Sequence, residues 1–233
     1  MRDVEIYWIY LPKHIGVDDV SKGIAYLDKE ELQTFYNYRV DFKKIEFLTG
    51  RILLKSMLGK KLQVSPNSIH LHKDKYGKLH LKPIDYLLFE ASWYFNLSHS
   101  NRIIACVLST HNHVGIDVEH ISPDYLHLKH TVFTNTEIEY ILQHSVSQSE
   151  AFFELWTRKE AYIKSIGTGF SISPNLFSVP VGTKISAKGK WEYFSCKLFD
   201  SYILSVVTHK ETDNINRYLL HSVNFYDIYN SLD

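Results

Sequence analysis

The sequence lacks several features that mark particular classes of protein. It has two cysteines, Cys106 and Cys196, too few for the disulfide framework that stabilises small secreted domains. Its 26 basic residues are balanced by 26 acidic ones, so the overall basic excess typical of nucleic-acid binders is missing. No run approaches the ~20 apolar residues that span a membrane, and the first residues do not resemble a signal peptide. We therefore expect a cytoplasmic protein that binds neither nucleic acid nor membranes.

The composition is that of a chain able to form a sizeable core. Of its 233 residues, 45% are hydrophobic and 14% aromatic, which suffices for one large domain or two small halves. Periodicity predicts a strand at residues 4–10, helices at 17–38, 41–58, 134–144 and 147–166, a hairpin around Gly77, and strands at 93–98, 103–108, 114–119 and within 176–226. Ser147 and Gly167 are typical residues for the start and the end of the 147–166 helix. This order predicts an α+β fold with two similar halves.

The first candidate site segment is Gly115-Ile116-Asp117-Val118-Glu119, in a predicted strand. Side chains alternate along a strand, so Asp117 and Glu119 share one face while Ile116 and Val118 face the core. Neighbouring carboxylates repel each other unless a positive charge neutralises them. A hard cation such as Mg²⁺, which prefers oxygen ligands, would do so. A solvated strand face also accounts for this pattern when it is taken alone.

The second segment lies on the predicted 147–166 helix. Glu160 and Lys164 are four residues apart and therefore lie one above the other, with Lys159 beside them. A carboxylate between two lysines suits a metal site whose lysines hold phosphate oxygens. The alternative is an ordinary surface ion pair, which contributes little to stability.

The third segment, Phe95-Asn96-Leu97-Ser98-His99-Ser100, ends a predicted strand. Its side chains offer hydrogen-bond donors, and a histidine here suits an anion, although bonds to the local backbone would also explain the composition. Taken together, three carboxylates, two lysines and a Ser-His turn suit a magnesium diphosphate. Phosphoryl transfer relies mainly on positioning and charge neutralisation, which these groups supply.

The three segments, in this order, resemble the signature motifs of the Sfp-type 4′-phosphopantetheinyl transferases. FNLSHS is similar to the family's [FW]-N-[ILV]-S-H-[ST], GIDVE to its G-[IV]-D-[IV]-E, and WTRKEAYIK to its W-x-x-K-E-[AS]-x-x-K. Lys75-Tyr76-Gly77-Lys78 resembles a short Y-G-K turn of the family. The resemblance extends over about residues 27–180.

This resemblance implies a fold, a reaction and a set of partners. The fold would be pseudo-dimeric, with two similar α/β halves, residues 1–110 and 111–233, each a helix packed on a small, mainly antiparallel sheet. The halves would pack tightly as a monomer, with the active site between them. The enzyme would transfer the 4′-phosphopantetheine group of coenzyme A to a serine of an apo acyl or peptidyl carrier protein and release adenosine 3′,5′-bisphosphate.

The resemblance also implies roles for individual residues. Mg²⁺, or Mn²⁺ in its place, would be held by Asp117, Glu119 and Glu160. Phosphates would be contacted by His99, Lys159 and Lys164, with Lys164 near the bridging oxygen as a catalytic group. Further contacts to coenzyme A would come from Lys29, Arg51, Lys78 and Ser98. The base that deprotonates the acceptor serine is left open between Glu160 and a metal-bound water, with Glu137 less favoured.

Two other functions are compatible with parts of the sequence. His111, His113, Asp117 and His120 lie close together, and such a set is compatible with a zinc hydrolase. A carrier-binding module without catalysis is the other alternative. Because carrier proteins of this kind are acidic, steering would favour a basic surface, for which the candidates are Lys43, Lys44, Lys55, Lys60 and Lys61.

Overall fold

A computed structural model of the protein describes residues 3–83, 93–144, 147–167, 169, 172–182, 184–210 and 215–232. Within these residues the helices are α1 (Lys29–Asn37), α2 (Asp41–Leu62), α3 (Lys129–Val132), α4 (Asn135–Gln143), α5 (Gln148–Ile166) and α6 (Phe225–Asn230). The strands are β1 (Asp3–Tyr10), β2 (Leu71–Lys73), β3 (Leu79–Leu81), β4 (Tyr94–Ser100), β5 (Ile103–Ser109), β6 (Val114–His120), β7 (Ile185–Lys188), β8 (Trp191–Leu198), β9 (Tyr202–His209) and β10 (Arg217–Ser222). Short 3₁₀ helices occupy Asp18–Tyr26, Pro66–Ser68, Pro123–Leu128 and Pro174–Leu176.

The elements follow the predicted periodicities closely. The helix predicted at residues 17–38 is divided into the 3₁₀ helix Asp18–Tyr26 and α1, because Asp28 and Glu31 form a capping box that begins a new helix. Ser147 caps α5 by accepting a hydrogen bond from the Glu150 backbone. Gly167 ends α5 with φ 70°, a left-handed conformation that glycine adopts without a steric penalty.

Two four-stranded sheets form the centre of the molecule. Their strand orders are β10-β1-β5-β4 and β6-β9-β8-β7, and β2 and β3 form a separate hairpin. One hydrophobic core lies between the sheets and includes Ile6, Ala105, Ile116 and Val206. The outer face of the first sheet packs on α2, and that of the second packs on α5 and α4. The mixed α+β architecture with two halves is thus confirmed.

Strand β5 is almost entirely apolar because both of its faces are covered. Each of its seven residues is buried. Ile103, Ala105 and Val107 face the core between the sheets, whereas Ile104 and Cys106 face the core under α2. In a strand of alternating apolar and polar residues, the polar side chains would therefore be buried in one of the two cores.

The end of the chain returns to the first half. Strand β10 pairs in parallel with β1, and Phe225, Ile228 and Tyr229 of α6 lie in the core under α2. Residues from Arg217 onward thus complete the first sheet and its core, and the division into halves at residues 1–110 and 111–233 stays a prediction. No helix among the described residues is both long and apolar enough to cross a membrane.

Gly115 sets the distance between β6 and α5. A Cβ atom at this position would lie 2.0 Å from the Ala161 carbonyl oxygen and 2.5 Å from the Ser165 nitrogen, both backbone atoms of α5. Gly50 of α2 occupies a comparable place in the first half, but its nearest neighbour would be the flexible end of Leu97 at 3.0 Å. Gly115 is thus required for the close approach of the strand that carries Asp117 to the helix that carries Glu160.

We expect Gly115→Ala to destabilise the protein by roughly 3 kcal/mol or more, because a backbone clash can be relieved only by moving the helix. Gly50→Ala is the matched control. It should change stability by no more than about 1 kcal/mol, since the leucine can shift and alanine favours the helix. Urea unfolding measures both variants, and equal stabilities for the two would contradict this account of the packing.

Candidate functional site

The predicted carboxylates meet at the junction of the two halves. Strands β4 and β6 are edge strands of their respective sheets, and α5 packs across β6. Val118 is buried in the core between the sheets, so Asp117 and Glu119 face away from that core, toward α5. Asp117 and Glu160 are buried, and Glu119 is half-buried.

Asp117 binds two groups through a single carboxylate oxygen. Its Oδ1 accepts hydrogen bonds from Ser98 Oγ at 2.9 Å and from Lys164 Nζ at 2.7 Å. Lys164 also donates to Ser98 Oγ at 3.0 Å, which closes a triangle of three side chains from β4, β6 and α5. Asp117 Oδ2 is buried and has no hydrogen-bond partner among the described residues.

Glu119 and Glu160 lie in an environment that disfavours their charge. Glu119 Oε2 accepts a hydrogen bond from Ser100 Oγ at 2.6 Å, but burial and the charge of Asp117 raise the pKa of Glu119. Burial, followed by the charge of Asp117, raises the pKa of Glu160 to about 7, against the opposing effect of Lys164. Glu160 Oε1 is also buried without a hydrogen-bond partner in the part of the chain that the structure describes. The site therefore holds more negative charge than its lysine neutralises.

The chemistry of these oxygens is suited to a hard cation. Carboxylate oxygens are the ligands that Mg²⁺ takes, and two of them here are buried and unpartnered. As the side chains stand, however, no group of three or more His, Cys, Asp or Glu residues in the described ranges is placed so that it could hold a metal ion. The magnesium ligand set of Asp117, Glu119 and Glu160 thus stays a prediction.

Of the predicted phosphate and coenzyme contacts, His99 and Lys78 lie near the junction. His99 is 45% exposed, and its Nδ1 is 3.5 Å from Glu46 Oε1. Lys78, next to the hairpin turn, donates to the carbonyl oxygens of Lys164 and Ser165 at 2.8 and 3.0 Å. Burial lowers the pKa of Lys78 to about 8. Lys78 therefore ties the first half to the last turn of α5, beside a cavity of about 440 Å³ that it lines with His80 and His113.

The structure places Lys159 away from the carboxylates. Its side chain is fully buried, donates to the carbonyl oxygens of Pro174 and Phe177, and forms an ion pair with Glu137 at 2.9 Å. Successive side chains on a helix point about 100° apart, so Lys159 and its neighbour Glu160 lie on different sides of α5. Glu137 in turn accepts hydrogen bonds from the backbone nitrogens of Thr134 and Val179, both at 2.9 Å. These hydrogen bonds and the ion pair are sufficient to explain why Lys159 and Glu137 are buried.

The structure also separates Arg51 and Lys29 from the carboxylates. Arg51 Nε lies 3.0 Å from Glu31 Oε1, and its guanidinium lies over the Phe47 ring at 4.7 Å. Lys29 is exposed in the first turn of α1. Their predicted contacts to coenzyme A would therefore have to be made at the side of α1 and α2.

The five candidate lysines do not form one basic surface. Lys55 is buried against Glu31 at 2.6 Å, and Lys61 pairs with Glu5 at 2.5 Å. Lys43 and Lys60 lie near opposite ends of α2. Lys55 and Lys61, which have acidic partners, are therefore the weaker candidates for a basic surface.

The histidines of the zinc alternative have separate partners. His111 Nε2 bonds to Asn216 Oδ1 at 2.8 Å, His113 Nδ1 lies 3.4 Å from the Ser165 carbonyl oxygen, and the His120 ring packs edge-on to Tyr202. Consistent with this, the described residues contain no His, Cys, Asp and Glu cluster suited to a metal ion. The arrangement does not support zinc hydrolysis.

Two features of the site were not predicted. Ser100 contacts Glu119, and the alternation of Asn96, Ser98 and Ser100 along β4 was the signal that could have revealed it. A groove of about 460 Å³ also opens beside Glu119, and its mixed polar and apolar lining includes Leu128, Phe152 and Trp156. This lining comes from β4 and the turn after it, from β6 and α5, and from α3 and the segment before it, so no single stretch of sequence indicates it.

The sequence matches known families over most of its length. A family model described as the 4′-phosphopantetheinyl transferase superfamily matches residues 113–215, and one described as the N-terminal part of 4′-phosphopantetheinyl transferase matches residues 16–111. The chain is 33% identical over 177 residues to 4′-phosphopantetheinyl transferase gsp of Aneurinibacillus migulanus, covering 75% of this chain and 70% of the relative. It is 27% identical over 180 residues to 4′-phosphopantetheinyl transferase Sfp of Bacillus subtilis (strain 168), covering 76% of each.

The raised pKa of Glu160 predicts how stability depends on pH. When a carboxyl has a higher pKa in the folded than in the unfolded chain, the folded state loses stability as pH rises, because the proton is lost from the unfolded chain first. For Glu160 this range extends from about pH 4.5 to about pH 7. Without divalent cations, the stability of Glu160→Gln relative to the unmodified chain should therefore increase from pH 5 to pH 8 by roughly 1–2 kcal/mol, after allowance for solvent screening.

Urea unfolding in a chelator at both pH values measures this difference. Glu139→Gln, on the exposed face of α4, is the control and should show no such increase. A stability difference for Glu160→Gln that stays constant between pH 5 and pH 8 would show that Glu160 titrates normally.

Proposed function

Because the chain belongs to the 4′-phosphopantetheinyl transferase superfamily, we propose that it transfers the 4′-phosphopantetheine group of coenzyme A to a serine of an apo acyl or peptidyl carrier protein. The reaction depends on Mg²⁺, with Mn²⁺ as a possible substitute, and releases adenosine 3′,5′-bisphosphate. The observation that carries this proposal is the pair of buried, unpartnered oxygens on Asp117 and Glu160 beside Lys164.

These oxygens explain why a cation and a diphosphate would bind together. Buried carboxylates that repel each other require positive charge, and a diphosphate brings negative charge that must also be neutralised. Asp117, Glu119 and Glu160 would hold Mg²⁺. When bound, Mg²⁺ would neutralise negative charge on the diphosphate.

Lys164 is positioned to stabilise the leaving group. Its ammonium is part of the triangle with Asp117 and Ser98 and keeps 29% of its side chain exposed, so it can reach a substrate that enters the junction. As the bond between the acceptor serine oxygen and phosphorus forms, the bond to the bridging oxygen breaks. The electron pair of the broken bond stays on the leaving bisphosphate, where a lysine stabilises the added charge.

Glu160 and a metal-bound water are the two candidates for taking the serine proton. In the chain without a cation, burial raises the pKa of Glu160 to about 7, which suits a general base at neutral pH. The same carboxylate is also a proposed cation ligand, so the choice between the two candidates stays open. Glu137 is less suited because its two oxygens already accept backbone hydrogen bonds.

Two cavities adjoin the junction, and we assign one to each part of coenzyme A. The cavity lined by Lys78 and Lys82 would offer cations to the phosphorylated nucleotide. The groove beside Glu119, lined by Phe152 and Trp156 among polar side chains, would suit the uncharged pantetheine arm, because apolar side chains can pack on such a chain while polar ones bind its amides. Glu119 lines this groove, so the diphosphate would lie near the carboxylates.

The reaction is tested by incubating the protein with coenzyme A, Mg²⁺ and a panel of apo carrier proteins. Intact-mass spectrometry should show a phosphopantetheine addition on at least one carrier, and removal of divalent cations by a chelator should abolish it. Absence of any mass increase across the panel would refute the proposal. A mass increase that survives chelation would refute only its cation dependence.

Variants separate the contributions of individual groups. Asp117→Ala and Glu160→Gln should each reduce the transfer rate by about 100-fold or more, because each removes a proposed ligand of the cation. Glu139→Gln is again the control and should transfer at the unmodified rate. A rate close to normal in either site variant would remove that residue from the mechanism.

A further inference from the structure

Strands β4 and β6 are joined by side chains rather than by a backbone ladder. Asn96 Oδ1 accepts a hydrogen bond from the Ile116 nitrogen at 3.0 Å. Ser98 Oγ and Ser100 Oγ accept from the nitrogens of Val118 at 3.4 Å and His120 at 3.2 Å. Each bond links residues twenty positions apart, so the strands run in the same direction. The three polar side chains thus satisfy N–H groups that an edge strand would otherwise leave unpaired.

The two serines make a second contact that the asparagine does not. Ser98 Oγ donates to Asp117 Oδ1 at 2.9 Å, and Ser100 Oγ donates to Glu119 Oε2 at 2.6 Å. Each hydroxyl therefore accepts from one backbone nitrogen of β6 and donates to the carboxylate of the residue just before it. Asn96 stands at the corresponding place opposite Gly115, which has no side chain to orient.

From this repeated geometry we propose that Ser98 and Ser100 are positioning residues that orient Asp117 and Glu119 for a divalent cation. The inference rests on the proposed cation dependence of the enzyme. A carboxylate on an edge strand can rotate about its side-chain bonds, and a hydroxyl anchored to the backbone of the same strand removes that freedom. For Asp117 the hydroxyl occupies Oδ1 and leaves Oδ2 available.

This role differs from the contact with the coenzyme A nucleotide that the family resemblance implies for Ser98. Ser98 is 5% exposed, and its oxygen already contacts Asp117, Lys164 and the Val118 nitrogen. Such a hydroxyl acts on the ligands of a cation rather than on the nucleotide. Outer partners of this kind typically change metal affinity by about 10–100-fold when they are removed.

The test measures Mn²⁺ binding by electron paramagnetic resonance, with the metal alone and no coenzyme A. The Mn²⁺ that Asp117→Ala still binds measures binding outside the proposed site and is subtracted. Ser100→Ala and Ser98→Ala should each weaken the remaining binding by about 10-fold or more, and Ser100→Thr, which keeps the hydroxyl, should restore affinity to within about 3-fold of the unmodified chain.

Asn96→Ala is the matched control, since it removes a junction hydrogen bond but touches no carboxylate. It should leave Mn²⁺ affinity unchanged even if thermal unfolding shows a loss of stability. Equal Mn²⁺ affinity in the unmodified chain and in Ser100→Ala would overturn the inference, as would an equal loss in Asn96→Ala. If the unmodified chain binds Mn²⁺ no better than Asp117→Ala, the proposed cation site itself fails, and the positioning role fails with it.

Discussion

The site depends on three carboxylates, two buried and one half-buried, next to a single lysine. Lys164 and Ser98 bind Oδ1 of Asp117, but its Oδ2 has no hydrogen-bond partner among the described residues. Burial and the charge of Asp117 raise the pKa of Glu160. This imbalance costs stability in the free protein and is relieved when a proton, a cation or a suitable ligand enters. A stable fold has no need of such an arrangement, so its cost is most simply explained by binding and catalysis.

The rest of the fold holds this unfavourable arrangement in place. Ile116 and Val118 are fully buried between the two sheets, so the alternate residues of β6 must face α5. Gly115 lets the α5 backbone come close, and Lys78 binds the carbonyl oxygens at the end of that helix from the opposite half. The large hydrophobic cores on both sides supply the stabilisation that the charged junction lacks.

Much of the fold and part of the site could be predicted from local patterns. The apolar run in β5 and the helical spacing of α5 each encode their own structure, because their periods match the geometry of a strand and a helix. The shared face of Asp117 and Glu119 follows from the same alternation. Contacts between residues distant in sequence could not be predicted from local patterns. The pairing of β10 with β1 and the hydrogen bond from Lys159 to the Phe177 carbonyl oxygen are both of this kind.

The sequence by itself determined the elements, the motifs and the chemical types available for the site. Only the tertiary structure decided which of these side chains face one another. Lys159 and Glu160 are neighbours in one motif, yet α5 turns the first toward Glu137 and the second toward Asp117. The physical reason is that a helix or strand sets the relative directions of its side chains, whereas the partner that each one meets depends on how separate elements pack.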